Sequence, residues 1–311
     1  MKNIKKTITS LVMFTSLSAI VMTFTSCSFN NYETLTYEIN EGFKNIAINT
    51  NTADISFLPT DEDICKVSCY ENQKIKHIVS YSDDTLSIEV DENRKWYDYI
   101  FNFSSPKITI YLPEKEYSSL YINESTGDLD ISNDFTFDNI DISVSTGNIK
   151  CLASTNKMCS IRSTTGNIYL EDVTTNYLDL SCSTGKINAS KVNCYNDINI
   201  NVTTGKTILS DITCNNLITN GSTGNVSLDG VISKDRLYIE RSTGNVEIQK
   251  SDASKIFIKT TTGNVSGTLL TDKTFIAKSS TGRINVPKDT TGGKCEITTS
   301  TGNINISISK N

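Results

Sequence analysis

Ser145-Thr146-Gly147-Asn148-Ile149, with Ile140 and Ile142 ahead of it and Cys151 behind it, is the stretch that decides the fold. The phrase Ser/Thr-Thr-Gly, usually followed by Asn and then Ile or Val, returns at Gly127, Gly147, Gly166, Gly185, Gly205, Gly224, Gly244, Gly263, Gly282 and Gly302. These are ten of the sixteen glycines in the chain; they stand 19 or 20 residues apart, and Thr precedes every one. A fixed period of that size marks a repeat architecture.

Aligned on the glycine, apolar residues fall seven and five before it and two and four after it. In the Gly166 copy they are Cys159, Ile161, Ile168 and Leu170. Spacing by two is the strand period, and β-branched residues dominate these ranks. Each unit therefore reads as strand, Thr-Gly-Asn turn, strand. A fainter apolar rank follows seven after the glycine, at Val173, Val192, Ile212, Val231 and Leu270. Hairpins of a meander would have no reason to match rank by rank at a constant interval, whereas stacked coils do. The expectation is an all-β, single-chain β-solenoid of about ten coils, roughly 50 Å long at strand spacing, with an N-terminal β cap. Glycine supplies a positive φ at the turn, and Asn tolerates left-handed backbone and can bond its own main chain. The stacked threonines could bond along the axis or form an ordered hydroxyl face of the ice-binding kind. The rank three before the glycine (Glu124, Val144, Ser163, Cys182, Val202, Gly221, Arg241, Thr260, Ser279, Thr299) does not supply the parallel Thr row such a face needs, so a coil-closing turn is the preferred reading.

Ahead of the repeats, residues 1–26 carry Lys2, Lys5 and Lys6 and then an apolar run from Ile8 to Phe24, the pattern of a secretory leader. Phe24-Thr25-Ser26-Cys27 resembles a bacterial lipobox, so Cys27 is the expected site of lipid attachment and the membrane the expected partner. Loss of that leader changes 29 basic against 35 acidic residues to 26 against 35, a net charge near −9. Such a balance speaks against nucleic acid as a partner. Residues 27–45 read as lipidated Cys, tether and first strand. Residues 46–119 read as a degenerate first coil, with Ala53 in the glycine place, followed by the β cap; residues 120–311 read as the repeats. Pro59, Pro106 and Pro113 sit at strand boundaries.

The first coil, the irregular segment closing on Ile108-Thr109-Ile110-Tyr111-Leu112-Pro113, and the serial Ser-Thr-Gly-Asn-Ile copies together resemble the bacterial β-strand-repeat family provisionally labelled adhesins, a domain of unknown function. The resemblance spans about residues 40–311. It implies a surface-exposed β-solenoid and transfers no catalytic residue.

Chemistry-bearing constellations are sparse. Cys151, Cys159, Cys182 and Cys295 occupy apolar ranks and read as small buried hydrophobes. Cys194 and Cys214 share a rank of adjacent coils, which leaves a disulfide between them open. Cys65 and Cys69 are four apart, no Cys-x-x-Cys occurs, and the one histidine, His77, reads as a surface residue. Neither a metal nor a cofactor is expected. Asp179, Asp197 and Glu240 fall on non-equivalent neighbours rather than in a catalytic row. Within the cap, Trp96-Tyr97-Asp98-Tyr99-Ile100-Phe101-Asn102-Phe103 is the best sequence candidate for ligand contact, through Trp96, Tyr97, Tyr99 and Phe101; the alternative is that these rings plug the solenoid end. The expected role is a lipid-anchored, non-enzymatic surface rod for adhesion or envelope interaction with a protein or glycan. An envelope sensor using the aromatic segment, and a carbohydrate-active solenoid enzyme, are the competing readings.

Overall fold

The computed structural model describes residues 21–25, 32–72, 75–91, 106–288 and 291–309. Each repeat forms one rung, a strand before the glycine and a strand after it, as in Thr136–Thr146 and Ile149–Cys151. Neighbouring rungs pair in parallel and in register, Ile140 with Cys159 and Ile142 with Ile161 on one side, Ile149 with Ile168 on the other. Two parallel sheets result, an upstream one before the glycines and a downstream one after them. The aliphatic ranks pile into continuous buried columns between them, each side chain contributing about 1.5–3 kcal/mol by burial. The solenoid expected from the period is therefore the fold.

The order of the rungs is not the order of the chain. At the N-terminal end, Asn45–Thr52 and Asp54–Thr60 form a rung that matches the repeat, Thr52 pairing with Thr126 and Ile55 with Leu129. On its other side lie Thr85–Val90 and Lys107–Pro113, paired in parallel with it. The expected irregular cap thus contributes the outermost rung itself, and the chain then crosses back to resume at Glu116. Antiparallel strands finish this end. His77–Ser82 lies on Thr85–Val90; Cys65–Asn72 lies on Lys107–Pro113, Tyr32–Ile39 on Cys65–Asn72, and Val21–Thr25 on Tyr32–Ile39. Tyr32–Ile39 is thus strand within the segment read as tether and first strand. The C-terminal end repeats the exchange. The Gly302 rung, Gly293–Thr301 and Ile304–Ile308, pairs with the Gly263 rung, and the Gly282 rung packs outside it. Serial stacking, expected throughout, fails here. The Gly282 rung is consequently the open end, which is why Ile284 is exposed and Phe275, Ala277 and Val286 are only partly buried on ranks buried elsewhere.

The glycine corner is set by the rung beneath it. A Cβ on Gly147 would lie 1.9 Å from the carbonyl oxygen of Gly127, and φ there is +146°. The Gly127 amide donates to the carbonyl of Thr146, so the exposed threonine column contributes main-chain acceptors to the corner. The glycine carbonyl that fills the missing Cβ space is met in turn by the buried rank three before the next glycine. Cys182 Sγ donates to Gly166 O at 3.3 Å, Thr260 Oγ1 to Gly244 O at 3.3 Å and Thr299 Oγ1 to Gly263 O at 3.1 Å. Ser279 Oγ donates to Gly302 O at 2.9 Å, which follows the exchanged order. That rank faces the core rather than forming a second hydroxyl row. Contrary to the expectation from residue type, Asn after the glycine is neither left-handed nor bonded to its own backbone. Its side-chain oxygen accepts the next rung's amide instead, Asn167 N to Asn148 Oδ1 at 3.2 Å and Asn264 N to Asn245 Oδ1 at 2.8 Å. Asp54 and Asp128 begin this ladder. Ala53, in the glycine place, lacks a positive φ, as its own turn required.

A second corner escaped the sequence reading. Six residues after the glycine, Asp172, Lys191, Asp211, Gly230 and Lys250 adopt left-handed backbone, φ 45–66°. The bend turns the next residue inward, which explains the faint rank at Val173, Val192, Ile212 and Val231. Beyond it a buried donor closes the coil: Thr175 Oγ1 to Tyr177 O, Cys194 Sγ to Asp197 O and Ser233 Oγ to Arg236 O. Cys194 and Cys214 are free thiols in this column, with Cys214 Sγ directed at Ser233 Oγ, so they substitute for hydroxyls rather than forming a bridge.

Glu124 occupies the donor rank at the junction with the Ala53 rung, where it is buried and accepts the Ala53 amide at 2.8 Å. Burial raises its carboxyl to about 8. The folded state therefore keeps a proton that the unfolded chain releases near pH 4.5, so stability falls as pH rises from about 4.5 to about 8 and levels off above. Glu124→Gln should match the parent near pH 5 and exceed it at pH 8, by up to about 4 kcal/mol, in urea melts at the two pH values.

Candidate functional site

Outside the core, the two columns that flank the downstream strands form a groove along the rod. Asp54, Asp128, Asn148 and Asn167 line one wall, and Ser56, Thr109, Asp130, Lys150 and Tyr169 the other, enclosing about 410 Å³ with Lys107 at the cap end. Register places these residues on five consecutive rungs, since Thr109 pairs beside Ser56, Ser56 beside Asp130, Asp130 beside Lys150 and Lys150 beside Tyr169. Five rungs span roughly 19 Å. The same columns reopen further along as a depression of about 330 Å³ between Lys206 and Ser266.

The groove is polar because each outward position alternates with a buried one: between the two walls, Ile55, Leu129 and Ile149 turn their side chains into the core. Three carboxylates gather in the groove. Asp54 Oδ1 accepts the Asp128 amide at 3.2 Å and Asp128 Oδ1 the Asn148 amide at 2.7 Å, while Asp130 pairs with Lys150 at 3.2 Å. Two of the three thus serve as main-chain acceptors of the corner. Tyr169 OH donates to Glu171 at 2.7 Å, which lowers the Glu171 carboxyl and fixes the ring at the groove's far end. At the near end Tyr70 pairs in register with Lys107, is exposed, and stacks on Tyr32 with ring centroids 4.9 Å apart. Aromatic faces at both ends of a polar trough are suited to stacking against the apolar faces of sugars or of extended peptides.

Elsewhere the outer surface carries ion pairs one rung apart, with the acid on the earlier rung: Asp141–Arg162, Glu171–Lys191, Asp235–Lys255 and Glu240–Lys259. Exposed as they are, each contributes little. Glu240, noted in the sequence as a scattered acid, belongs to this set. A depression of about 700 Å³ near the C-terminal end contains the Asp252–Lys273 ion pair, with Lys273 Nζ 2.5 Å from Asp252 Oδ1.

Within the core one charge stands apart. Arg241 is 2% exposed; its Nη2 donates to Thr207 Oγ1 at 2.8 Å and Thr219 Oγ1 at 3.0 Å. Its Nη1 fills the space a Cβ on Gly221 would take. Four departures from the repeat's ranks, Thr207, Thr219, Gly221 and Arg241, are thus one arrangement that makes room for a guanidinium and meets its Nη2, while Nε and Nη1 are buried without a hydrogen-bond partner. Desolvation lowers it to about 10. Replacement by an apolar chain of similar length removes that burial cost, so Arg241→Met should be neutral or more stable by about 1–4 kcal/mol, whereas Arg241→Ala should be destabilising through the cavity and the stranded hydroxyls. Chemical denaturation of both variants checks the pair.

Of the sequence candidates, Cys27 and the aromatic segment with Trp96, Tyr97, Tyr99 and Phe101 lie outside the described residues. The groove uses Tyr169, which alternation alone marks as outward but not as part of a site. Its partners Asp54 and Lys107 come from the exchanged rungs, which the period does not reveal. His77, expected at the surface, is buried in the cap at 4% exposure against Glu71, because Asn72 turns the chain back over Ile75 and carries His77 inward.

Residues 43–205 and 189–311 each match the family model of Toastrack DUF4097. No curated protein matches the chain. Among solved structures, a protein from Parabacteroides distasonis provisionally named lipid binding is 16% identical, covering 90% of this chain and 98% of its own, at a TM-score of 0.46. One from Bacteroides fragilis provisionally named an adhesin is 14% identical, with 89% and 97% covered, at 0.39. One from Clostridium sporogenes provisionally named a cell adhesion protein is 13% identical, with 89% and 100% covered, at 0.25.

Proposed function

Because the chain belongs to the Toastrack DUF4097 family, we propose that it is a lipid-anchored, extracytoplasmic β-solenoid that holds an extended glycan or peptide of the envelope along its downstream groove. The observation that carries this reading is the five-rung polar trough bounded by Tyr70 and Tyr169. A rigid rod gives each rung one equivalent contact, so affinity accumulates over several modest ones, and no covalent step is needed. The lipobox-like Cys27 supplies the anchor; acylation with more than one chain would hold the rod stably at the membrane. The acidic surface suits a neutral or cationic partner.

Binding of the Cys27→Ala chain to arrayed linear glycans and extended peptides tests the reading. The parent should retain one class of linear ligand, and Tyr169→Ala should weaken it at least about tenfold, the loss expected of one stacking platform of about 1.4 kcal/mol. Equal retention by the two proteins places binding elsewhere. The anchor is tested separately, because palmitate labelling should vanish in Cys27→Ala, and labelling that persists overturns it.

A second reading has its own observation, the three carboxylates Asp54, Asp128 and Asp130 in one trough. A carbohydrate-active enzyme would cleave the retained glycan and lose turnover in Asp130→Asn. The commitment of Asp54 and Asp128 to ladder bonds favours binding without catalysis.

A further inference from the structure

At the cap end of the core, strand Cys65–Asn72 of the downstream sheet faces His77, the first residue of strand His77–Ser82 of the upstream sheet. Cys69, Glu71 and His77 are buried there, at 0%, 1% and 4% exposure. A sulfur, a carboxylate oxygen and a ring nitrogen of the three lie within 4.8 Å of one another. Glu71 Oε2 accepts the His77 amide at 2.8 Å and lies 3.1 Å from ring Nδ1. Glu71 Oε1 and His77 Nε2 are buried and without a hydrogen-bond partner. Buried polar atoms are almost always satisfied, so two orphans in one three-residue cluster point to a partner that the protein itself does not provide.

We propose that Cys69, Glu71 and His77 bind one zinc ion. Thiolate, carboxylate and imidazole are the three side-chain ligand types of zinc, and at bond lengths of about 2.0–2.3 Å, tetrahedral ligand atoms stand roughly 3.3–3.6 Å apart. Glu71 Oε2 and His77 Nδ1, 3.1 Å apart, stand slightly closer than that, and one ligand atom from each of the three residues lies within 4.8 Å of the others. Small side-chain rotations therefore bring a sulfur, an oxygen and a nitrogen to zinc spacing and leave the orphaned Oε1 and Nε2 within reach of the ion or of its water. Binding replaces the S–H bond of Cys69 by an S–Zn bond and releases the proton to solvent. A water molecule completes the fourth position. The ion would tie the two sheets together where the last parallel rung leaves the core to antiparallel strands alone, so its role is structural. It was hidden in the sequence because a Cys-x-Glu-x5-His spacing crosses two strands and resembles no paired-cysteine motif.

The full chain, produced in zinc-supplemented medium, should carry one zinc per molecule by native mass spectrometry and elemental analysis. Cys69→Ser, Glu71→Gln and His77→Gln should each reduce retention at least about tenfold. Cobalt-loaded parent should show a thiolate-to-cobalt charge-transfer band that Cys69→Ser lacks. The parent decides the question even where a variant fails to fold. Less than about a tenth of an ion per chain, together with no thiolate–cobalt band, overturns the proposal, as does zinc retained equally by all three folded variants. A chain satisfied there by water alone gives the first of these negative results.

Discussion

Gly205→Ala should abolish the folded rod. Its Cβ would lie 1.6 Å from the carbonyl oxygen of Gly185 and 2.7 Å from its carbon, at a φ of +147°. Both obstacles are main chain, so no rotamer relieves them, and the strain reaches the rungs on either side. The expected loss exceeds about 4 kcal/mol, in the range reserved for a named structural break. Gly42→Ala is the control, since nothing lies within 4 Å of a Cβ there, and it should stay within about 0.5 kcal/mol of the parent. Urea unfolding followed by far-UV circular dichroism compares the two. Near-parental stability of Gly205→Ala would mean that the corner does not rest on the carbonyl beneath it.

Ending the chain after Lys288 should remove more than its length suggests. In serial order the deletion would trim one terminal rung and leave Lys273–Ser279 against the Gly263 rung. In the observed order it removes Gly293–Thr301 and Ile304–Ile308, the strands on which the Gly282 rung rests. Cys295, Ile297, Ile304 and Ile306 leave the core with them, each burial contributing on the order of 1.5–3 kcal/mol. Hydrogen exchange should show protection lost across residues 273–286 and weakened over Ile256–Thr262, whose neighbour is gone. Protection of residues 273–286 equal to that in the full chain would contradict the exchanged order.

These two cases also mark how far the sequence could be read. The rungs were legible because burial at Ile142, Ile149 and their equivalents repeats at strand period, and nothing but stacking requires that match. The glycine corner was legible as a turn, but its cause was not. Asn148 bonds the next rung rather than its own backbone, and this depends on which chain segment lies above it. The exchanged rungs were illegible because Ile297 and Ala277 fill the same rank, and a period records rank without order. Arg241 has no explanation in the sequence, because Thr207, Thr219 and Gly221 come round it only when the rungs stack. The groove is intermediate: alternation puts Asp130, Lys150 and Tyr169 outside, and only the register brings Asp54 and Lys107 beside them. His77 was misread because a lone histidine in a polar stretch carries no periodic sign of burial.

Rung order through the glycine corners is the point on which fold, groove and ends all depend, and cross-linking in the exposed threonine column measures it. In the structure Thr262 pairs with Thr301, one strand spacing of about 4.8 Å away, while Thr281 lies one rung further out, at about 9.6 Å. A disulfide needs Cα atoms about 4.4–6.8 Å apart. Under mild oxidation Thr262→Cys with Thr301→Cys should close to a disulfide, and Thr262→Cys with Thr281→Cys should not. Closure of the second pair and failure of the first would contradict the account.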